Sequence, residues 1–136
     1  MYASYAYIDA YVSKSNRLGE AGATLAAQPE HLASIWATWR PAALQNWQFG
    51  AGVRYVGETS DGTAYVAQNG VVLNDPLTTS SYTLFDAMVG YNFGAYSLSL
   101  QAQNITDKTV ITSCLARGDC FYGQRRAISA NLRYNF

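Results

Sequence analysis

The sequence predicts an all-β fold, an antiparallel transmembrane β-barrel segment of six strands with alternating long external loops and short periplasmic turns. Three observations support this prediction. Apolar residues alternate with polar ones in six separate segments, and the gaps between the segments alternate in length. Only 13% of the residues are charged, about half the usual share in soluble domains. Together they indicate a sheet that faces lipid on one side.

The period-two alternation covers residues 2–13, 31–41, 46–57, 81–93, 95–105 and 123–136. Each segment has roughly the 9–11 residues with which a tilted strand crosses a bilayer. The apolar faces of the last five are Ala33, Ile35, Ala37 and Trp39; Trp47, Phe49, Ala51, Val53 and Tyr55; Phe85, Ala87, Val89, Tyr91 and Phe93; Tyr96, Leu98, Leu100 and Ala102; and Ile128, Ala130, Leu132, Tyr134 and Phe136. In the first segment the lipid side stays open, because Tyr5, Tyr7 and Tyr11 share a face with Asp9.

The connections distinguish a membrane barrel from a soluble sandwich. They cover 14–30, 42–45, 58–80, 94 and 106–122. This long-short alternation is typical of outer-membrane barrels. The second face is rich in Ser, Gln, Asn, Thr and Gly, whereas a water-facing surface would carry roughly 25–35% charged residues. A polar lumen fits better, with a soluble β-sandwich or lipocalin-like barrel as the rival.

Aromatic residues gather at the strand ends beside the short turns. Trp39 and Trp47 flank one turn, Phe93 and Tyr96 flank the other, and Phe136 ends the chain. Amphipathic rings form such girdles at membrane interfaces. The pattern predicts that all of these ends lie at the periplasmic interface.

Composition also excludes several classes. Nine Lys and Arg balance nine Asp and Glu, so no net charge attracts nucleic acid. No apolar run approaches the roughly 18 residues of a membrane helix, and residues 1–5 do not resemble an export signal.

No catalytic arrangement or cofactor is predicted, and the chain is expected not to be an enzyme. No carboxylate forms a recognisable hydrolase pattern with His31 or a hydroxyl; those considered are Asp9, Glu58, Asp61, Asp75, Asp86, Asp107 and Asp119. Gly50-Ala51-Gly52 lacks the third glycine of a dinucleotide fingerprint, so small residues beneath bulky neighbours explain it better.

Cys114 and Cys120 stand six positions apart in the last long connection, with Gly118 between them. A disulfide in an oxidising compartment suits this spacing. A metal pair suits it less, because the spacing is not the short Cys-x-x-Cys and His31 is distant in sequence.

Two further groups could contact a ligand. Arg125 and Arg126 are predicted to point one into the lumen and one towards lipid head groups, which explains both without a ligand. Tyr65, Phe121 and Tyr122 in the long loops could hold an aromatic or apolar ligand, although packing within the loops is the simpler interpretation.

Several motifs resemble the C-terminal part of TonB-dependent siderophore receptors of the ferrichrome or ferrioxamine type. They are PEHLAS at 29–34, GVRYVGE at 52–58, SYTLFDA at 81–87, NITDK at 104–108, GDCFYG at 118–123 and NLRYNF at 131–136. The resemblance covers essentially the whole chain. It implies a barrel of about 22 strands around an N-terminal plug, of which residues 1–136 are the C-terminal portion, the plug and earlier strands being absent.

The resemblance implies uptake of a ferric siderophore across a Gram-negative outer membrane, energised by TonB acting through the absent N-terminal region. Outer-membrane lipid, the rest of the barrel and the plug are the expected partners. It also implies that the terminal residues Leu132, Tyr134 and Phe136 are read by the outer-membrane assembly machinery. The alternatives are a structural or pore-forming module closed by self-association and a soluble ligand-binding β-barrel. The identity of the siderophore and of its contacts stays unknown.

Overall fold

A computed structural model of the chain describes residues 1–17, 19–62, 65–66, 72–73, 76–115 and 118–136. The described residues form one six-stranded antiparallel sheet and three two-stranded pairs. The main sheet has the order β1-β2-β3-β8-β9-β12, made of β1 (Tyr2–Tyr7), β2 (His31–Trp39), β3 (Trp47–Val56), β8 (Tyr82–Phe93), β9 (Tyr96–Gln103) and β12 (Ala127–Tyr134). The pairs are β4 (Thr59–Ser60) with β7 (Thr78–Thr79), β5 (Tyr65–Val66) with β6 (Val72–Leu73), and β10 (Ile111–Cys114) with β11 (Cys120–Tyr122). The predicted all-β architecture is confirmed.

The strand register brings the predicted apolar faces onto one side of the sheet. Val53 pairs with Ile35 on one neighbour and Phe85 on the other, and Leu100 pairs with Val89 and Ala130. A slip of one residue would reverse every side chain of a strand. The hydrophobic pattern therefore sets the register across the sheet.

Strand pairing also shows which face of the first strand is the apolar one, a point that the sequence leaves undecided. Tyr5 lies opposite Ala33 and Tyr7 opposite His31, so both tyrosines belong to the apolar side. Tyr5 Oη and His31 Nδ1 are hydrogen-bonded at 2.9 Å. This apolar side is the one expected to face lipid, and the opposite side is called the polar face below.

The first and last strands are each six residues shorter than the sequence predicts, whereas the other four strands differ by one to three residues. The first ends at Tyr7 rather than at residue 13, because the chain beyond it bonds to its own loop: the Val12 N–H donates to the Ala23 carbonyl at 2.9 Å and the Leu25 N–H to the Ala10 carbonyl at 3.0 Å. The last begins at Ala127 rather than at 123. Here the Gly123 N–H donates to the Val110 carbonyl instead of joining the main ladder.

The two short connections join β2 to β3 and β8 to β9. Pro41, two residues after Trp39, has no N–H with which to continue β2. The Leu44 N–H donates to the Pro41 carbonyl at 3.0 Å and closes the first turn. Gly94 closes the second turn with a φ of +63°, a conformation that glycine adopts without strain. These turns lie at one end of the sheet, and the long connections lie at the other.

Buried side chains lie mainly at the loop end rather than on the two faces of the sheet. The buried apolar residues in the described part of the chain are Ala23, Leu84, Val110 and Cys114. Ile35, Phe85 and Leu132 on the apolar side are about half exposed or more. Such a sheet carries its hydrophobic surface outwards. No helix in the described ranges is long and apolar enough to cross a membrane.

Candidate functional site on the polar face and in the last outer loop

The polar face has a floor of glycines under one tryptophan. The half-buried Trp36 lies over Gly50 and Gly52, and a Cβ built on Gly52 would stand 2.3 Å from Trp36 Cε3. On Gly50 it would stand 2.6 Å from Trp36 Cζ2. No side chain fits between the ring and this backbone. The glycines at 50 and 52 are therefore explained by packing, as the sequence indicated.

One ion pair joins two adjacent strands on the polar face. Arg54 of β3 donates from Nε to Asp86 Oδ2 at 2.6 Å and from Nη2 to Oδ1 at 2.9 Å. This two-bond geometry holds both side chains in one orientation. The same Oδ1 accepts the backbone N–H of Asn104 at 2.9 Å. Asp86 therefore fixes the point at which the chain leaves β9 for the last loop.

Asn104 organises the base of that loop. Its side chain is 1% exposed, donates from Nδ2 to the carbonyls of Lys108 and Gln124, and accepts the Lys108 N–H at 2.9 Å. Its φ of +49° lies in the left-handed region, which asparagine tolerates better than most residues. One buried amide thus ties together the two ends of the loop.

Asp107 makes a second tie in the same turn. Arg125 Nε and Nη2 donate to its two carboxylate oxygens at 2.9 and 2.6 Å, and the Arg126 N–H donates to Oδ1 at 2.9 Å. The Arg125 guanidinium, followed by the Arg126 N–H, holds the pKa of the Asp107 carboxyl well below its ordinary range. The carboxylate therefore stays charged and bonded over the whole physiological range.

A disulfide closes the tip of the loop. Cys114, the last residue of β10, is bonded to Cys120, the first of β11. The predicted pairing is present. Thr79 Oγ1 lies 3.7 Å from Cys114 Sγ, so the disulfide also contacts the β4–β7 pair of the preceding long connection.

The residues predicted to contact a ligand lie at separate places around the loop end of the sheet. A cavity of about 160 Å³ at the loop end of the polar face is lined by Arg54 and Arg125, both already paired with aspartates. Phe121 and Tyr122 are 49% and 70% exposed, so loop packing does not cover them. The Tyr65 side chain lies outside the described residues. Arg126, which directly precedes β12, has an exposed side chain and donates its backbone N–H to Asp107 Oδ1.

The turn end of the apolar side carries a continuous row of aromatic rings. Successive centroids lie 4.8–6.0 Å apart, distances typical of favourable ring pairs. The row is Trp39, Phe49, Trp47, Tyr91, Phe93, Tyr96, Tyr134 and Phe136. The girdle expected from sequence is thus a connected structure that reaches the last residue. Leu132, of the predicted assembly signal, lies opposite Leu98 on the same side.

No group of three or more His, Cys, Asp or Glu in the described ranges is placed to hold a metal ion. Asp86 and Asp107 are engaged by arginines, and Asp75 lies outside the described residues. That the chain itself carries no cofactor stays a prediction from the sequence.

The role of Asn104 was not predicted from sequence. In the sequence, the NITDK motif contributes only to the resemblance. A polar residue at the end of an alternating strand, followed three positions later by Asp, was the available signal. The role of Asn104 depends on Gln124, which lies 20 positions further along the chain. The neighbouring Asp107 likewise depends on Arg125, 18 positions from it.

Together, the apolar outer side, the polar face and the braced loops define a segment of an outer-membrane receptor barrel. The family model described as "TonB dependent receptor-like, beta-barrel" matches residues 1–105. The chain belongs to this family, and its location is the outer membrane of a Gram-negative bacterium.

Individual relatives agree with this assignment. The chain is 32% identical to the ferrioxamine B receptor of Salmonella typhimurium (strain SL1344), over 98% of this chain and 18% of that receptor. It is 29% identical to the ferrichrome outer membrane transporter/phage receptor of Escherichia coli (strain K12), over 98% of this chain and 17% of that protein. The siderophore receptor PiuA of Acinetobacter baumannii superimposes with a TM-score of 0.72 at 25% identity, covering 96% of this chain and 18% of PiuA. The chain spans less than a fifth of the length of these relatives.

Proposed function

We propose that this chain forms the last six strands of a TonB-dependent receptor that imports a ferric siderophore of the ferrioxamine or ferrichrome type. The match to a ferrioxamine B receptor over 98% of the chain carries the proposal. In this assignment the plug and the earlier strands precede the chain, TonB acts on the plug, and residues 1–136 supply wall and outer loops.

The geometry of the sheet supports the wall assignment. β1 and β12 each pair on one side only within the described residues. Unpaired edges are costly in lipid, because no water satisfies their N–H and C=O groups. Further strands on both edges remove this cost. In a closed receptor barrel the polar face then lines the lumen that holds the plug and admits the cargo.

The loop braces support a receptor rather than a simple pore wall. Asn104, Asp107 and the Cys114–Cys120 disulfide fix the last outer loop over the polar face. Fixed loops present a constant surface to a ligand, which lowers the ordering cost of binding. Phe121 and Tyr122 are exposed on this loop and are available for such contact.

Uptake in cells tests the proposal. A strain lacking its own ferrioxamine receptor should regain transport of radioactive iron supplied as ferrioxamine B when it expresses the complete protein that contains this chain. Transport should disappear in a TonB-deficient strain while the level of the protein in outer-membrane fractions stays the same. Uptake that persists without TonB, or conductance of planar bilayers by the chain alone, would favour the self-associating pore instead.

A further inference from the structure

Acidic and basic residues are distributed unevenly between the two ends of the sheet. Eight of the nine Asp and Glu lie in the connections between β1 and β2, β3 and β8, and β9 and β12, and the ninth, Asp86, lies in the half of β8 next to them. At the turn end, residues 36–50, 89–99 and 131–136 include two charged side chains, Arg40 and Arg133, and no acidic one. This end of the wall is therefore positively charged.

Both of these arginines belong to the polar face. Arg40 Nη2 donates to Gln48 Oε1 at 2.9 Å, and Gln48 lies opposite Gly90 on this face. Arg133 lies opposite Ser97, and strand alternation turns both side chains to the same face. β2 and β12 are four strand spacings apart in the sheet, which is about 19 Å along it. Arg40 and Arg133 are called the arginine rim below.

The arginine rim differs from the arginines at the loop end of the polar face. Arg54 and Arg125 each share two hydrogen bonds with an aspartate. Neither rim arginine forms an ion pair with any residue in the described part of the chain, and both are exposed. The polar side chains beside them on the wall are neutral, namely Gln48, Asn92 and Ser97. The sheet itself therefore leaves the positive charge of the rim uncompensated.

A body inside the barrel has to supply the opposite charge. When a barrel closes around a plug, groups on the polar face are removed from open water, and a cation that loses water is costly unless an anion pairs with it. We propose that the arginine rim binds Asp or Glu side chains at the periplasmic end of the plug and so holds the plug in the barrel. This inference rests on the proposed function, which supplies the plug as the occupant of the lumen. Attraction of this kind weakens as salt is added.

A zero-length crosslinker identifies the partner of the rim. Arg40→Lys and Arg133→Lys, made one at a time in the complete protein, each place a primary amine at the rim, and a water-soluble carbodiimide joins such an amine to a carboxylate in contact with it. Mass spectrometry of digests should find each new amine joined to an Asp or Glu of the plug. Arg54→Lys is the matched control, since its amine should be joined to Asp86 of the wall. Rim amines that are joined only to added TonB, or to nothing while the control reacts, would overturn the proposal.

Release of the plug measures how firmly the rim holds it. In planar bilayers with urea on the periplasmic side, the double variant Arg40→Gln and Arg133→Gln of the complete protein should open channels about fivefold more often than the parent. High salt should raise the frequency of the parent to that of the variant. Arg17→Gln removes an arginine of the first long connection that is 85% exposed, and this control should behave as the parent does. Equal frequencies for the double variant and the parent would contradict the role of the rim.

Siderophore uptake separates this inference from the proposed function. If the parent imports ferrioxamine B in a TonB-dependent manner and neither rim amine is joined to a plug carboxylate, the assignment of the rim fails and the proposed function stands. If the parent shows no TonB-dependent uptake, the proposed function fails and the inference fails with it.

Discussion

Asp107 and Arg125 face each other across the base of the last outer loop and share two hydrogen bonds of 2.9 and 2.6 Å. Eighteen positions separate them in sequence. The pair, with the Arg126 N–H as a third donor, joins the end of β9 to the start of β12. The loop between them is thereby anchored to the barrel wall independently of its disulfide.

Acid should loosen this anchor. Because the pKa of Asp107 is lowered from 3.8, its contribution to loop stability is complete above about pH 4 and is lost as pH falls towards the folded-state pKa. Hydrogen exchange of residues 104–126, corrected for intrinsic rates, should accelerate below pH 4. Asp107→Asn should already exchange faster at pH 7 and lose this acid response. Asp9→Asn, at an exposed carboxylate beyond β1, is the control, and an acid response that survives in Asp107→Asn would contradict the assignment.

Adding one methyl group beneath Trp36 should destabilise the barrel. A Cβ at Gly52 would lie 2.3 Å from the ring, so Gly52→Ala forces the ring or the strand to move at a cost of about 1–3 kcal/mol. Gly90→Ala is the matched control on the same face, because its nearest neighbour would be 3.6 Å away. Thermal unfolding of the purified protein measures the difference. Equal unfolding temperatures for the two variants would show that Trp36 does not constrain Gly52.

The Cys114–Cys120 bond should be dispensable for the barrel and important for the loop. Labelling with a thiol reagent under denaturing conditions should be negative without reductant and positive for two thiols after reduction. A loop this short gains about 2 kcal/mol from closure in the chain-entropy model. Reduction should therefore increase protease cleavage between β10 and β11 and leave the sheet intact. Full labelling of both cysteines before reduction would contradict the prediction.

The terminal residue is predicted to act in assembly. Phe136 ends the aromatic row and contacts only Tyr134 among the rings of the described residues, at 5.0 Å. The final strand must pair with the first strand to close the barrel. Deleting Phe136 in the complete protein should sharply lower its level in outer-membrane fractions while synthesis is unchanged. Phe93→Ala, which removes a ring from the middle of the row, should have a milder effect, and an unchanged level of the deletion variant would leave Phe136 only a girdle role.

Much of the sheet could be predicted because its signal is local. In β9, Tyr, Leu and Ala alternate with Ser and Gln, and a strand with such a pattern has one acceptable orientation in lipid. The two short turns, at 42–45 and 94, were predicted from the gaps between the alternating segments for the same reason. The ends of β1 and β12 were placed wrongly, because the residues beyond them are bonded by loop atoms that the alternation does not record.

The amino-acid sequence by itself determined the strand count of the main sheet, the apolar side of its last five strands, the alternation of loops and the cysteine pair. The tertiary structure decided the side of Tyr5 and Tyr7, the role of Asn104 and the packing of Trp36 over Gly52. The physical reason is the range of the interactions. Alternation within one strand indicates which of its side chains face lipid and which face the polar side. The other features require partner residues that only strand pairing and loop packing bring within contact distance.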